Sequence, residues 1–392
     1  MKIKRLLKQG LRNIVSLGDG RKHIMEKEMS KKERLEAVFN LKEPDMIPVN
    51  PHVMAQAIYD MGWSLTDITT QTELDVDKVA EALITNIKKY DYELCFGTYI
   101  DHGYGVPTLG GVLEIPQKFG VSVSVKEHPI RKKEDWTEVK RKLPLDPLRH
   151  DRMPQALKAL RMVCKELGET HPISPMSYVG IGFVQHLFRK VSDLTVDCIE
   201  DPDWVDEMCQ AATDFSKDWI RAQYEAGANT HLTLNDSFGT ELISPTMAER
   251  FLLPYVSQIV EMVRKEFHHK VFMHIHGDMK KPKSYVFLEK LVKEAGVGGL
   301  HLDEKHDASW IRENVVNRLG VPAALIVHGA NIASGPIEKI DAMVKETIEI
   351  GGSGGGVLMA PSCQILPSTP GHHFKAWVDA THKYGTYPIP KD

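Results

Sequence analysis

The 392-residue sequence nowhere strings together the roughly 18 apolar residues that a membrane-spanning helix requires, so no membrane span is predicted. It also lacks paired cysteines. Cys95, Cys164, Cys198, Cys209 and Cys363 are odd in number, scattered and without Cys-x-x-Cys spacing, which speaks against a disulfide framework and predicts a reducing, cytoplasmic setting. Positive charge is not in excess either: 49 Lys and Arg face 53 Asp and Glu, a net charge of -4, and the basic footprint of a nucleic-acid binder is missing. The glycine-rich run 351–356 lacks the Gly-Lys-Ser/Thr ending of a phosphate loop and precedes a strand-like run, so it reads as a helix-to-strand turn on the far face. No repeat at a solenoid period is visible.

Apolar residues, at 42%, suffice for a real core, and this length suits either two average domains or one large α/β barrel. Residues 1–29 are basic, with Ile3, Leu6, Leu7, Leu11, Ile14 and Val15 at roughly helical spacing but without the continuous apolar core of a signal peptide. They predict a helical extension lying on the main body or on a second subunit; the second arrangement would build a homodimer. Ser30-Lys31-Lys32-Glu33 forms a capping box ahead of Leu35, Val38 and Phe39, so the main domain, residues 30–392, opens on a helix. Strand-like runs follow at 45–50, 92–99, 173–179, 230–235, 271–276, 298–302, 324–327 and 356–359. Eight strands alternating with helices predict a single (β/α)8 TIM barrel of the α/β class.

Active sites of this fold gather at the C-terminal strand ends. Polar residues stand there: His102 after the second strand, Tyr178 after the third, Asp236 after the fourth, His274 and His276 at the fifth, Asp303 after the sixth, His328 and Asn331 after the seventh, and Cys363 after the eighth. Asp236, His102, Tyr178 and Asn331 are the candidate catalytic residues. In residues 270–278 an extended strand points His274 and His276 the same way. With Cys363 they offer two imidazole nitrogens and a thiolate, the three protein ligands and open position of a catalytic zinc. Residues 103–148 are too long for a barrel loop and alternate on their own (Val112, Leu113, Ile115, then Val121, Val123, Val125), which predicts a β-hairpin insertion after the second strand, over the barrel mouth. Phe96, Tyr104, Phe183 and Phe238 are candidate walls for an aromatic ligand, and His328 a further candidate substrate contact.

Several stretches together resemble the uroporphyrinogen decarboxylase superfamily: Lys32-Glu33-Arg34 through Asp45-Met46-Ile47-Pro48-Val49, Asn235-Asp236-Ser237-Phe238-Gly239 with Ile243-Ser244-Pro245, His328-Gly329-Ala330-Asn331, Pro361-Ser362-Cys363, and Tyr384-Gly385-Thr386-Tyr387-Pro388. They run in order over roughly residues 30–390. One branch of that superfamily decarboxylates porphyrinogens and holds their carboxylates with an arginine-rich N-terminal motif. The matching stretch here, residues 50–56, has no arginine, and only Arg189 and Lys190 supply cations after the third strand, so that branch is disfavoured.

The other branch moves methyl groups to or from a cobalt corrinoid and carries a His-x-Cys strand end and a distant Cys as zinc ligands. His274 matches the His and Cys363 the distant Cys, while His276 stands where the family usually has Cys; Asp236 is the candidate fourth ligand. Exchanging a thiolate for a neutral imidazole makes the zinc a stronger Lewis acid, better suited to an oxygen losing its methyl group than to a thiol. The resemblance therefore implies methyl transfer from a methoxylated, aromatic small-molecule donor to the Co(I) of a corrinoid. The sequence has no Asp-x-His-x-x-Gly corrinoid motif, so the cofactor is expected on a separate corrinoid-binding protein that docks over the barrel mouth. Transfer from a methylcorrinoid to a thiol or a pterin is the alternative, and porphyrinogen-type decarboxylation ranks below both.

Overall fold

Ser30 opens the main domain as its capping box predicts: its hydroxyl accepts from the Glu33 amide at 3.2 Å, and the Glu33 carboxylate accepts from the Ser30 amide at 2.7 Å. The computed structural model describes residues 28–97, 103–236 and 238–389. The predicted extension up to residue 27, and His102, lie outside the described residues. The first helix, Lys31–Phe39, buries Leu35 and Phe39. These two side chains join Leu94, Phe272, Ala324, Leu358 and Ala360 in an apolar cluster of their own, so the helix plugs the lower end of the barrel.

Ten short strands follow among the described residues: β1 (Cys95–Phe96), β2 (Val112–Glu114), β3 (Ser124–Glu127), β4 (Ile173–Ser174), β5 (Met176–Tyr178), β6 (Leu232–Asp236), β7 (Val271–Ile275), β8 (Gly299–His301), β9 (Ala323–Val327) and β10 (Val357–Pro361). A parallel sheet runs β10-β9-β8-β7-β6-β5, and β1 pairs in parallel with β4. Pro175 separates β4 from β5 in what is one strand position. Helices such as Pro202–Glu225, Leu253–Phe267 and Ile337–Gly351 carry amphipathic apolar faces that pack against the outer side of the strands in the larger core cluster.

The predicted first strand, 45–50, is a correction in part. It forms only isolated bridges, Met46 with Thr386 and Val49 with Met359. Pro48 lacks an N–H, and the Val49 amide donates to the Glu93 carboxylate at 2.8 Å instead of to a strand. Val49 still closes the ring. Its carbonyl accepts from Leu94 at 3.0 Å on one side, while the Asn50 amide donates to Met359 at 2.8 Å on the other. Eight strand positions thus complete the (β/α)8 barrel.

The insertion forms the expected antiparallel hairpin, β2 with β3, in register Leu113 to Val125. The Gln71 carboxamide bonds both the amide and the carbonyl of Leu113 at 2.9 Å. At the tip, the Tyr59 hydroxyl donates to the Val121 carbonyl at 2.7 Å, and the Tyr59 ring packs on Phe119 at 4.7 Å. A side-chain carbon at Gly120 would come within 2.8 Å of Ser368, in the loop that follows Cys363. The tip therefore sits on the catalytic face. The glycine-rich run lies at the opposite end, tied by Arg312 to the carbonyls of Gly351 and Gly355 and by Glu43 to the Gly354 amide.

Candidate metal centre

His274 is the penultimate residue of β7 and His276 follows its end; Cys363 lies two residues beyond β10. Alternation along β7 sends Phe272 and His274 to the inner face, and Phe272 does reach the inner apolar cluster. The ligand atoms of His274, His276 and Cys363 all lie within 4.8 Å of one another, close enough to share one metal ion. The His274 and His276 rings stand 4.6 Å apart.

The surroundings prepare these side chains for a metal. Nδ1 of His274 donates to the His301 carbonyl at 3.0 Å, which fixes the ring and leaves Nε2 as the ligating nitrogen. That Nε2 is buried and has no hydrogen-bond partner. Burial, with His301, His276 and His52 nearby, holds the His274 pKa well below the usual histidine value, so its lone pair is available at neutral pH. Burial pushes the Cys363 thiol up to about 11, so a cation at the site is what would draw out the thiolate. The donor set and the orphaned Nε2 fit zinc.

His276 is set by tight backbone packing. A side-chain carbon at Gly239 (φ +56°) would come within 2.3 Å of the His276 carbonyl, and one at Gly277 (φ +121°) within 2.3 Å of the Thr240 hydroxyl. Asp303 accepts from the Gly277 amide at 2.9 Å and lies 4.0 Å from Nδ1 of His276. Burial alone would raise the Asp303 pKa; hydrogen bonds from His306 and the amides of Gly277 and Lys305 instead hold it well below the usual carboxylate range. An anion is thus kept beside His276.

The other expected residues divide. Asp236 does not join the cluster: its two oxygens accept from the amides of Phe238 at 3.1 Å and Gly239 at 2.9 Å, and burial pushes its pKa up to about 6. It shapes the turn that carries Gly239 against His276. Phe96 has its ring 4.9 Å from His52, which in turn stands 5.7 Å from His274. Tyr178 is in register with Asn235, with its ring 4.4 Å from His186.

Tyr104 packs away from the cluster, between the Arg152 guanidinium at 5.2 Å and Trp219 at 5.3 Å. Phe183 packs on Phe215 of the outer helix Pro202–Glu225, and Phe238 is fully buried. His328 caps the turn at Ala330 and, with Lys280, Glu304 and Asp307, lines a rim cavity of 380 Å³. Asn331 accepts from Lys339 on the surface. Arg189 is occupied by Asp197 at 2.8 Å and by the Arg131 carbonyl at 2.6 Å, so it is committed to structure and not to a substrate carboxylate.

Two residues escaped the sequence reading. His301 and His52 both meet His274, the first by its carbonyl and a 4.2 Å ring contact, the second by its ring. His301 has a legible signal: it lies two residues before Asp303 on the sixth strand, so alternation places both on one face. His52 has none, because it adopts φ 50° after a proline, where no periodicity holds.

Residues 30–384 match the family model described as uroporphyrinogen decarboxylase (URO-D). Among curated proteins, a sequence named Methylcobamide:CoM methyltransferase MtaA from Methanosarcina barkeri is 25% identical over 368 residues, covering 91% of this chain and 99% of that one. Methylcobamide:CoM methyltransferase MtbA from Methanosarcina acetivorans is 23% identical over 265 residues, covering 67% and 71%. A solved methyltransferase from Methanosarcina mazei superposes with a TM-score of 0.75 at 22% identity, over 91% of this chain and 99% of that one, a likeness of fold.

Proposed function

This chain belongs to the uroporphyrinogen decarboxylase family, and on that premise we propose that it is a zinc-dependent methyltransferase passing a methyl group from a methoxylated, aromatic donor to the Co(I) of a separate corrinoid protein. The observation that carries the reading is the ligand set itself: His274, His276 and Cys363 within 4.8 Å of one another at the mouth of the barrel. The two curated relatives, by their names, work with methylcobamides, which supports a corrinoid partner here. Decarboxylation of a polycarboxylate finds no support at this site, where Asn50 and His52 stand in the stretch expected to carry arginine and Arg189 is bound to Asp197.

His274, His276 and Cys363 would hold the zinc, with the His301 carbonyl and Asp303 orienting the two imidazoles. Two neutral imidazoles and one thiolate would leave a bound zinc one net positive charge, and the chemistry it would supply is Lewis acidity toward an oxygen that is losing its methyl group. Phe96 and His52 offer ring faces near His274, and the hairpin tip around Phe119 offers an apolar edge at the mouth, where 61% of Phe119 is exposed. Those parts orient the donor and meet the incoming corrinoid protein.

A second reading, methylcorrinoid to thiol, is favoured by the names of the same relatives. One assay separates the two. Purified zinc-loaded protein is incubated with a Co(I) corrinoid protein and methoxylated aromatics, methylamines or methanol, and in the reverse sense with a methylcorrinoid and thiols. Methyl-cobalt formation from a methoxylated aromatic is expected; rapid thiol methylation with every methoxylated compound untouched establishes the second reading.

A further inference from the structure

Beside His274 the barrel interior holds polar side chains that the fold leaves unsatisfied. Asn235 is in register with Tyr178 on one side and His274 on the other, so it shares the inward face of His274. Only 2% of it is exposed, yet neither its Oδ1 nor its Nδ2 has a hydrogen-bond partner. Asn50 is fully buried beside His52, whose ring meets that of His274; its Oδ1 accepts from the His52 amide, and its Nδ2 is unpartnered. His301 continues the row beside His274. Its Nε2 lies 2.7 Å from the Pro361 carbonyl and must carry the proton, and its Nδ1 is buried without a partner.

Native interiors seldom tolerate this. A buried amide or imidazole nitrogen without a partner costs about 1–3 kcal/mol, so unpartnered groups that gather on one face mark a place where a ligand supplies the missing bonds. None of these groups belongs to the ligand cluster, which consists of His274, His276 and Cys363.

We propose that Asn235, together with Asn50 and His301, is the recognition element for a neutral polar group carried by the molecule that meets the metal. The unused set contains a donor that cannot accept, Nδ2 of Asn50, and in Asn235 a carboxamide able to do both. The matching group bears a hydrogen-bond donor and an acceptor together, as a hydroxyl or a primary amide does. A carboxylate finds no cation among these residues, and a purely apolar methyl ether leaves them unpaired. Asn235 is therefore a specificity-determining residue, and the inference rests on the reading of the site as a zinc methyl-transfer centre.

The test uses the full-length, zinc-loaded protein and two probes, the methoxyphenols and methoxybenzene, with binding measured by calorimetry. Wild type is expected to bind at least one methoxyphenol about tenfold or more tighter than methoxybenzene, the worth of one to two hydrogen bonds. In Asn235→Leu, which keeps the branched shape and removes the hydrogen bonds, that ratio should fall to about one while zinc content stays at one per chain. Asn235→Asp, which keeps the shape but loses the donor, should also lower the ratio and serves if the leucine variant does not fold. Equal affinities in wild type, binding of neither probe, or a ratio unchanged in the variants overturns the inference. Methyl transfer is scored separately: a protein that keeps the preference but demethylates no donor sinks the proposed reaction and leaves the recognition element standing.

Discussion

The His301 carbonyl accepts the Nδ1 proton of His274 at 3.0 Å, while the His301 ring donates to the Pro361 carbonyl at 2.7 Å. One residue of the sixth strand thereby ties the strand bearing His274 to the strand end bearing Cys363. Replacing the side chain cuts only the second tie, because the first is made by backbone. His301→Leu should retain the fold and lower zinc affinity only a few-fold, less than the roughly 10–100-fold cost of losing a hydrogen bond to a ligand itself, because the tie to His274 persists. Chelator competition measures it, and an unchanged affinity would show that Cys363 is held without this link.

One zinc per chain is expected in carefully prepared wild type. His274→Ala combined with Cys363→Ala leaves one imidazole and should abolish stoichiometric zinc. Elemental analysis checks both statements, and full retention in the double variant places the metal elsewhere.

His276→Cys gives the cluster two thiols and one imidazole, which would leave a bound zinc without net positive charge. If that charge sets the direction of transfer, the variant keeps its metal, loses most ether demethylation and loses much less methyl transfer to a thiol. Equal losses of both activities would separate the charge from the direction.

The hairpin tip, residues 117–121, is expected to help dock the corrinoid protein, since Phe119 is exposed on the catalytic face and rests only on Tyr59 among the described aromatic rings. Phe119→Ala should slow transfer to the protein-bound corrinoid several-fold and leave transfer to free corrinoid near wild type. Parallel decreases in both rates would argue for a role within the barrel instead.

Barrel closure depends on Glu93, which is fully buried and binds Arg34 at 3.2 Å and the Val49 amide at 2.8 Å. Burial alone would raise its pKa, but His382, Lys31 and the Val49 amide bring it below the ordinary glutamate value. A depressed pKa contributes stability that is fully present above the unfolded value and lost as pH falls through the folded one, so the loss occurs below about 4.5. Glu93→Ala should cost about 3–5 kcal/mol at neutral pH by leaving Arg34 buried and less fully paired. Urea titrations across pH 3–7 should also show a shallower acid limb in the variant.

The alternating elements were legible because each rests on local physics: the Ser30 capping box, the amphipathic helices and the period of two that put His274 and His276 on one face. The same period, joined to the family resemblance at Cys363, picked out three side chains whose ligand atoms lie within 4.8 Å of one another. The first strand was misjudged because its apolar run does not reveal that Glu93, 44 residues away, takes the amide a strand would have used. An aromatic at a strand end reads the same in sequence whichever way it turns, so the contacts of Tyr104 with Trp219 and of Phe183 with Phe215 were not legible there. Composition and periodicity alone determined that the chain forms a barrel with polar strand ends. Which of those ends converge was decided by closure of the ring, since contact between His52, Asn235, His274 and His301 depends on register across strands far apart in sequence.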